Sequence, residues 1–193
     1  MNRIHNWYCN RDSWKQHVRE EVVPPAIDGL DLGDDVLEVG PGFGPGTEVL
    51  SERAERLTAL EIDPELAAAL RERLGDRVDI IDGDGTAMPF ADGSFSAAAC
   101  FTMLHHVPAA AMQDQLFAEV RRVLRPGGVF AGTDSVGGGL VFKLAHLGDI
   151  NVPLDPANLG ARLEAAGFER VAIDHGPGAA AKTVRFRAYR PAG

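Results

Sequence analysis

The chain is poor in several residue types, and each shortage excludes a class of protein. It has only two cysteines, Cys9 and Cys100, which form neither a CxxC pair nor a disulfide framework, so a reducing compartment fits the sequence. No stretch approaches the roughly 18 uninterrupted apolar residues of a membrane span, and residues 1–12 lack the basic-then-apolar order of a leader peptide. We therefore expect a cytoplasmic protein without a membrane span.

Positive charge is also in short supply. The chain has 19 Lys and Arg residues against 28 Asp and Glu residues, a net charge of −9. This balance disfavours attraction to phosphate backbones and to anionic lipid. No His-x-x-x-His or paired-cysteine arrangement supports a metal site. The sequence therefore predicts no nucleic-acid partner and no metal, and it leaves the oligomeric state open.

The order of apolar segments predicts an α/β fold. The 193 residues correspond to one domain at the usual prior of roughly 150 residues each. From Asp35 onward, short apolar runs alternate with helical stretches, which is typical of parallel strands joined by right-handed crossovers. The predicted strands are Val36–Val39, Leu57–Leu60, Val78–Ile81, Ala97–Phe101, Val129–Thr133, Val171–Asp174 and Val184–Tyr189.

Two segments fall outside this alternation. In the first, Trp14, Val18 and Val22 recur at helical spacing from Asp12 onward, and the Pro24–Pro25 pair is expected to end the helix. We interpret residues 1–30 as an N-terminal helical lid and residues 135–152 as an inserted cap segment. Segments that overhang an α/β crevice commonly close it, so both supply candidates for the substrate wall, with plain core packing as the alternative. These candidates are Trp7, Tyr8, Trp14, His146 and Asp149.

Glycine, by contrast, is abundant and clustered. Of the 22 glycines, Gly40, Gly42, Gly44 and Gly46 lie directly after the first predicted strand and directly before a helix. Glycines at such a turn let the backbone approach a ligand closely, and the following helix presents free N–H groups. A flexible connector is the alternative. Dinucleotide binding would prefer G-x-G-x-x-G, but Pro45 occupies the last glycine position.

Three acids follow the first three strands at equal intervals. Glu38 precedes the glycine cluster, Glu61 comes 23 residues later, and Asp84 comes a further 23 residues on. An acid roughly 20 residues beyond such a loop commonly accepts the hydroxyls of a ribose. Because the carboxyl ends of parallel strands share one edge of the sheet, we expect all three acids to face the same crevice.

Six motifs, in order, resemble those of the class I S-adenosylmethionine (SAM)-dependent methyltransferases, most closely the branch that acts on small molecules, including quinone-biosynthesis methyltransferases. The resemblance implies a Rossmann-like, doubly wound, seven-stranded and mostly parallel sheet with an antiparallel last strand. It also implies a single methyltransferase domain over residues 1–193. The motifs are Val36–Gly46 (VLEVGPGFGPG), Ala59–Asp63 (ALEID), Gly83–Phe90 (GDGTAMPF), Gly93–Ala97 (GSFSA), Leu104–Val107 (LHHV) and Val123–Val129 (VLRPGGV).

The resemblance assigns the first set of cofactor-binding residues to the methionine and ribose parts of SAM. Glu38 and the backbone of Gly40, Pro41 and Gly42 are expected to hold the amino and carboxylate end, and Glu61 to bind the ribose hydroxyls.

The remaining assignments concern adenine and the sulfonium. Ile62 is expected to lie against the adenine face, Asp84 to accept from the adenine amino group, and the Gly85–Thr86 backbone to contact the ring edge. Phe101 and Thr102 are expected to border the sulfonium and the substrate. Ser96 departs from the family, which usually has Asp there.

The implied reaction is an in-line methyl transfer from SAM, with S-adenosylhomocysteine (SAH) as product. Such a reaction mainly needs alignment, exclusion of water and, for some acceptors, removal of a proton. His105 and His106 follow the fourth strand and are the candidate bases, with a structural role as the alternative. The expected acceptor is a small molecule, attacking through oxygen, nitrogen, carbon or sulfur. A non-catalytic SAM-binding regulator and an NAD-dependent oxidoreductase are the competing functions.

Overall fold

A seven-stranded sheet forms the centre of the computed structural model, which describes residues 7–137, 148, 150–175 and 183–193. The strands lie side by side in the order β3-β2-β1-β4-β5-β7-β6. Their bounds are β1 Asp35–Val39, β2 Arg56–Glu61, β3 Asp79–Asp82, β4 Phe95–Phe101, β5 Leu124–Ser135, β6 Glu169–His175 and β7 Thr183–Tyr189.

The strand directions confirm the predicted fold class. Strands β1 to β5 pair in parallel, whereas β7 runs antiparallel to both β5 and β6. The strand order reverses between β1 and β4, which pair directly. In open α/β sheets, ligands bind at this reversal, outside the carboxyl ends of the strands.

Helices connect the strands and cover both faces of the sheet. They are α1 Asp12–His17, α2 Val23–Ile27, α3 Pro45–Ser51, α4 Pro64–Leu74, α5 Ala110–Val123 and α6 Pro156–Ala165, with a π-helical turn at Val18–Val22 and a 3₁₀ turn at Leu104–His106. The Asp155–Pro156 pair predicts a helix start from its capping residue and first-turn proline, and α6 begins there; α4 begins in the same way after Asp63. Asp63 Oδ1 accepts from Glu65 N at 3.0 Å, and Asp155 Oδ1 accepts from Ala157 N at 3.0 Å.

The prediction that Pro24–Pro25 ends the first helix is wrong. The chain passes from α1 through the π-helical turn Val18–Val22 into α2, and the two prolines lie in the first turn of α2. Proline is tolerated at that position because the first N–H groups of a helix have no partner within it. The helical segment thus extends to Ile27.

The last parallel strand also begins earlier than predicted. The helical spacing of Leu116, Val120, Val123 and Leu124 predicts a helix that includes Leu124. In the structure, Leu124 instead pairs with Phe95 of β4. The register then shifts, and pairing resumes between Ala97 and Val129. The Arg125–Gly128 stretch therefore lies inside β5 as an irregularity rather than as a turn before it.

The sheet is buried on both faces. Neighbouring residues of β1 point to opposite faces of the sheet, and each face is covered by its own hydrophobic cluster. Val36 belongs to the cluster that includes Leu70 of α4, and Leu37 belongs to the cluster that includes Phe117 of α5. Continuous apolar runs such as β4 reflect this double burial. No helix in the described ranges is long and apolar enough to cross a membrane.

Ser96 is explained by close packing at the start of β4. Its Oγ accepts a hydrogen bond from Asp35 N at 3.0 Å and lies 2.7 Å from Leu32 O. A Cβ on Gly33 would lie 2.5 Å from Ser96 Cβ, so the backbone of Gly33 packs directly against Ser96. The departure from the family is therefore local to this strand start.

Candidate active site

A cavity of about 390 Å³ opens at the carboxyl edge of the sheet. All residues that the sequence assigned to cofactor binding contribute to its wall. They are Glu38, Gly40, Pro41, Gly42, Glu61, Ile62, Asp84, Gly85, Thr86, Phe101 and Thr102. Their individual roles stay predictions, but the fold brings all of them together.

The glycine turn shapes one wall of the cavity. Gly40 has a φ of +68°, and a Cβ on it would lie 2.8 Å from Met103 Cε. Gly46 is constrained in a different way, because a Cβ there would lie 2.6 Å from Glu38 Oε1. Only glycine allows the start of α3 to approach the Glu38 carboxyl group this closely.

The Glu61 carboxylate joins the end of β2 to the glycine turn. Its Oε2 accepts from Gly42 N at 2.9 Å, and its Oε1 accepts from Asp63 N at 3.0 Å. Burial raises the pKa of Glu61, and these two backbone hydrogen bonds oppose that shift. Each carboxylate oxygen can still accept a second hydrogen bond, as contact with a ribose diol requires.

Glu38 carries a buried carboxylate oxygen that makes no hydrogen bond. The residue is 2% exposed, and its Oε2 has no partner among the described residues. Burial raises the pKa of Glu38 to about 7, an effect that the Glu61 carboxylate increases and the nearby Thr47 hydroxyl opposes. An orphaned acceptor on a cavity wall fits a cationic ligand group, such as the amino group of SAM.

The Asp84 turn forms the opposite end of the cofactor wall. Strand β3 ends at Asp82, so Asp84 lies two residues beyond it rather than at its last position. Asp84 Oδ1 accepts from both the N–H and the hydroxyl of Thr86, each at 2.8 Å. Across the cavity mouth, the apolar Ile62 is 67% exposed, which fits a residue that covers a flat apolar ring.

Thr102 has an unusual backbone at the end of β4. Its φ is +52°, which is uncommon for a β-branched residue, and its N–H donates to Thr133 O at 2.7 Å. Such strained residues cluster at functional sites, where the surrounding structure holds them. Thr102 lies on the cavity wall, and its place beside the sulfonium stays a prediction.

The rest of the wall is mostly apolar and comes from residues that the sequence did not single out for it. They lie in the predicted N-terminal lid, in or beside the Leu104–Val107 motif, at the start of α5 and in the chain after residue 149. They include Cys9, Val18, Met103, Val107, Pro108, Met112 and Ile150. This part of the cavity is the candidate acceptor pocket.

The residues predicted to line the substrate site occupy different positions in the structure. Trp14 lies on the cavity wall. Trp7 and Tyr8 are 62% and 46% exposed and do not contribute to the wall, so their assignment to it is not supported by their position. His146 and Asp149 lie outside the described residues.

The two candidate bases also occupy different positions. His106 contributes to the cavity wall, whereas His105 does not. His105 is buried behind the wall, with its Nδ1 2.5 Å from Asp134 Oδ1. Of the two candidate bases, His105 is therefore not placed to contact an acceptor in this cavity, because successive side chains of the 3₁₀ turn point in different directions. Over the described ranges, no three His, Cys, Asp or Glu side chains are grouped as metal ligands.

Comparisons with known proteins agree with this geometry. The family described as "Methyltransferase domain" matches residues 37–132. A protein of Mycolicibacterium smegmatis, named "Probable S-adenosylmethionine-dependent methyltransferase", is 34% identical over 171 residues, which is 84% of this chain and 63% of that protein. Ribosomal RNA small subunit methyltransferase A of Synechococcus sp. is 45% identical over 86 residues, 41% of this chain and 31% of that protein.

The fold is shared with solved methyltransferases. Phosphoethanolamine N-methyltransferase 2 of Haemonchus contortus, in complex with SAM, superposes with a TM-score of 0.76 at 16% identity, covering 97% of this chain and 56% of that one. The chain spans less than two thirds of the length of the two curated relatives. Topology, the ordered motifs and the matched family agree in one assignment: the chain belongs to the class I SAM-dependent methyltransferases.

Proposed function

We propose that the chain binds SAM in the cavity at the carboxyl edge of the sheet and methylates a small organic acceptor. The observation that carries this proposal is the buried Glu38 carboxylate oxygen that lacks a donor, on the same wall as the glycine turn and Glu61. A cationic amino group would supply the missing partner.

The cofactor contacts follow from the chemistry of each residue. Glu38 would bind the amino group, and the N–H groups at the start of α3 favour a nearby carboxylate. Glu61 would accept from the ribose hydroxyls while it keeps Gly42 in place. Ile62 would cover one face of the adenine, and Asp84 would accept from its amino group.

When bound, SAM supplies a sulfonium methyl group whose carbon–sulfur bond breaks with its electron pair passing to sulfur as the acceptor atom bonds to the carbon. The chain's own contribution is alignment and the exclusion of water. Met103, Val107 and Met112 line the cavity beyond the cofactor wall and would keep the reacting atoms dry. His106, on the same wall, would take a proton from acceptors that carry one.

Size and charge favour a small acceptor. The cavity of about 390 Å³ includes the wall assigned to the cofactor, so the cofactor and the acceptor would share a space at the lower end of the range for small-molecule sites. The net charge of −9 disfavours a polyanionic acceptor such as RNA. The alignment with the ribosomal RNA methyltransferase covers only 41% of this chain. The apolar wall favours an acceptor with a flat or aliphatic body and a single nucleophilic atom.

We further propose that the N-terminal segment is a lid within one methyltransferase domain. Cys9, Trp14 and Val18 form part of the cavity wall. Arg19 Nη1 lies 2.6 Å from Glu48 Oε2 and so ties the lid to α3, which follows the glycine turn. The cap over residues 135–152 stays a prediction.

Calorimetry and a turnover assay test the proposal. We expect SAM and SAH to bind and NAD not to bind, with binding lost in Glu38→Ala and kept in the exposed control Glu65→Ala. We then expect SAH release with at least one member of a panel of phenols, carboxylic acids, amines and thiols, and none with RNA. Methylation of RNA and of no member of the small-molecule panel would overturn the proposal that the acceptor is a small molecule. SAM binding without turnover of any acceptor would favour the regulatory alternative.

A further inference from the structure

Asp134 is a carboxylate at the end of β5, fully enclosed by the protein. It is 0% exposed and accepts three hydrogen bonds: from Leu104 N and Ser135 N, both at 2.6 Å, and from the His105 ring at 2.5 Å. No Lys or Arg in the described ranges forms an ion pair with it. Burial of a carboxylate is costly unless it is paired and hydrogen-bonded, and the ring that pairs with Asp134 is that of His105.

Two imidazole rings connect this carboxylate to the cavity. The ring centroids of His105 and His106 lie 4.0 Å apart at an interplanar angle of 42°. His105 is held against Asp134, and His106 forms part of the cavity wall. The carboxylate therefore lies behind the one histidine of the pair that a substrate can reach.

We infer that the Asp134 carboxylate, in contact with the His105 ring, is the counter-charge of His106, raising its affinity for the proton that it takes from the acceptor. The inference rests on the proposed function. In the step it concerns, the acceptor X–H bond breaks, the electron pair stays on X, and the proton forms an N–H bond on a ring nitrogen of His106. A fixed negative charge behind the ring stabilises the imidazolium that results. His105 and Asp134 are positioning residues in this scheme, because neither reaches the cavity.

Other charged groups act on the same site. The cavity wall carries further titratable groups from the N-terminal segment, β1, β2 and the turns after β2 and β3. In the described residues they are Cys9, Glu38, Glu61, Asp63 and Asp84. Burial raises the pKa of Glu38 to about 7, so Glu38 carries only part of a negative charge near neutrality, and burial also raises the pKa of Glu61. Asp134 differs from them in its contact with the His105 ring that stacks on His106.

The 3₁₀ turn has a second support, which makes variants of Asp134 testable. Gln113 Nε2 donates to Leu104 O at 3.0 Å and to Val152 O at 2.8 Å. Val152 N in turn donates to His105 O at 2.7 Å. None of these three bonds involves Asp134, so they do not depend on its carboxylate.

The test is the titration of His106 followed by NMR in protein with isotope-labelled histidine. His106→Gln assigns the signal by removing it, and the exposed Asp79→Asn is the matched control. We expect Asp134→Asn to lower the pKa of His106 by about one unit, and Asp79→Asn to leave it within about 0.2 units. An unchanged His106 pKa in folded Asp134→Asn would overturn the inference. Should that variant not fold, Asp134→Ser removes the same charge and keeps an acceptor for Leu104 N.

A double-mutant cycle supplies the second measurement once an acceptor is known. We expect Asp134→Asn to lower kcat about tenfold, with an unchanged Kd for SAM, and to have no further effect in His106→Gln protein. An equal loss in both backgrounds would make Asp134 purely structural and contradict the inference. Because the NMR titration needs no acceptor, a chain that shows the pKa shift but methylates nothing contradicts the proposed function and leaves the electrostatic coupling standing.

Discussion

Glu61 Oε2 accepts a hydrogen bond from Gly42 N at 2.9 Å, and this bond joins the acid at the end of β2 to the glycine turn after β1. The two residues are 19 positions apart, yet the parallel pairing of β1 with β2 brings them together. The acid therefore has two tasks: it shapes the turn, and it presents its remaining acceptor sites to the cavity.

Replacement of Glu61 by Ala should weaken SAM binding strongly. The variant loses the acceptor for Gly42 N and for both ribose hydroxyls, and hydrogen bonds to a charged group contribute about 1.5–3 kcal/mol each. We expect a rise in Kd of about 30-fold or more, measured by calorimetry, since 1.4 kcal/mol corresponds to about tenfold. Glu65→Ala, an exposed acid in the next helix, is the control. A Kd for Glu61→Ala within twofold of wild type would show that Glu61 does not bind the cofactor.

Glu38 should make the ligand-free protein less stable as the pH rises. Its pKa is raised by burial to about 7 from an ordinary 4.5, so between these values the folded chain binds more protons than the unfolded chain. Stability is therefore lost through this window, by about 3 kcal/mol in total. We expect Glu38→Gln to unfold at higher urea than wild type at pH 8, with the gap closing toward pH 5. A difference in urea midpoint between Glu38→Gln and wild type that stays the same from pH 5 to pH 8 would contradict this explanation.

Gly40 and Gly93 offer a matched pair for testing the glycine turn. Both have a φ of +68°, but a Cβ on Gly93 meets nothing within 4 Å, whereas one on Gly40 would displace Met103 along its side chain. Gly93→Ala should cost about 1 kcal/mol of folding free energy from the left-handed backbone alone. Gly40→Ala should cost about 1–3 kcal/mol more through overpacking. Equal destabilisation of the two variants in urea would show that close packing is not what selects glycine at position 40.

The two tryptophans should report ligand binding differently. Trp14 lies on the cavity wall, and Trp7 is 62% exposed and does not contribute to it. We expect SAH to change the fluorescence of wild type and of Trp7→Phe, in which only Trp14 emits. Trp14→Phe should show little response at the same saturation. A fluorescence change that is lost in Trp7→Phe and kept in Trp14→Phe would show that Trp7, and not Trp14, lies beside the bound ligand.

Local patterns in the sequence were sufficient for most of the fold. Strands such as Leu57–Leu60 were predicted to within one or two residues because a buried parallel strand is a continuous apolar run. The helix after Asp155 was predicted from its capping residue and the proline that follows. Errors arose where tertiary pairing overrides local preference: Leu124 joins β5, and Pro24–Pro25 lie inside a helical segment.

The sequence by itself predicted the alternation of strands and helices, from short-range periodicity, and the meeting of Glu38, Glu61 and Asp84 at one edge of the sheet, from their place after consecutive strands. The family resemblance added the seven-stranded topology and the roles of the cofactor-binding residues. Only the tertiary structure decided which of two adjacent histidines faces the cavity, since that depends on Asp134, 29 residues away. It also assembled the apolar acceptor wall from Met103, Met112 and Ile150, which share no motif. Contacts between distant segments are set by how the elements pack, and no local pattern records them.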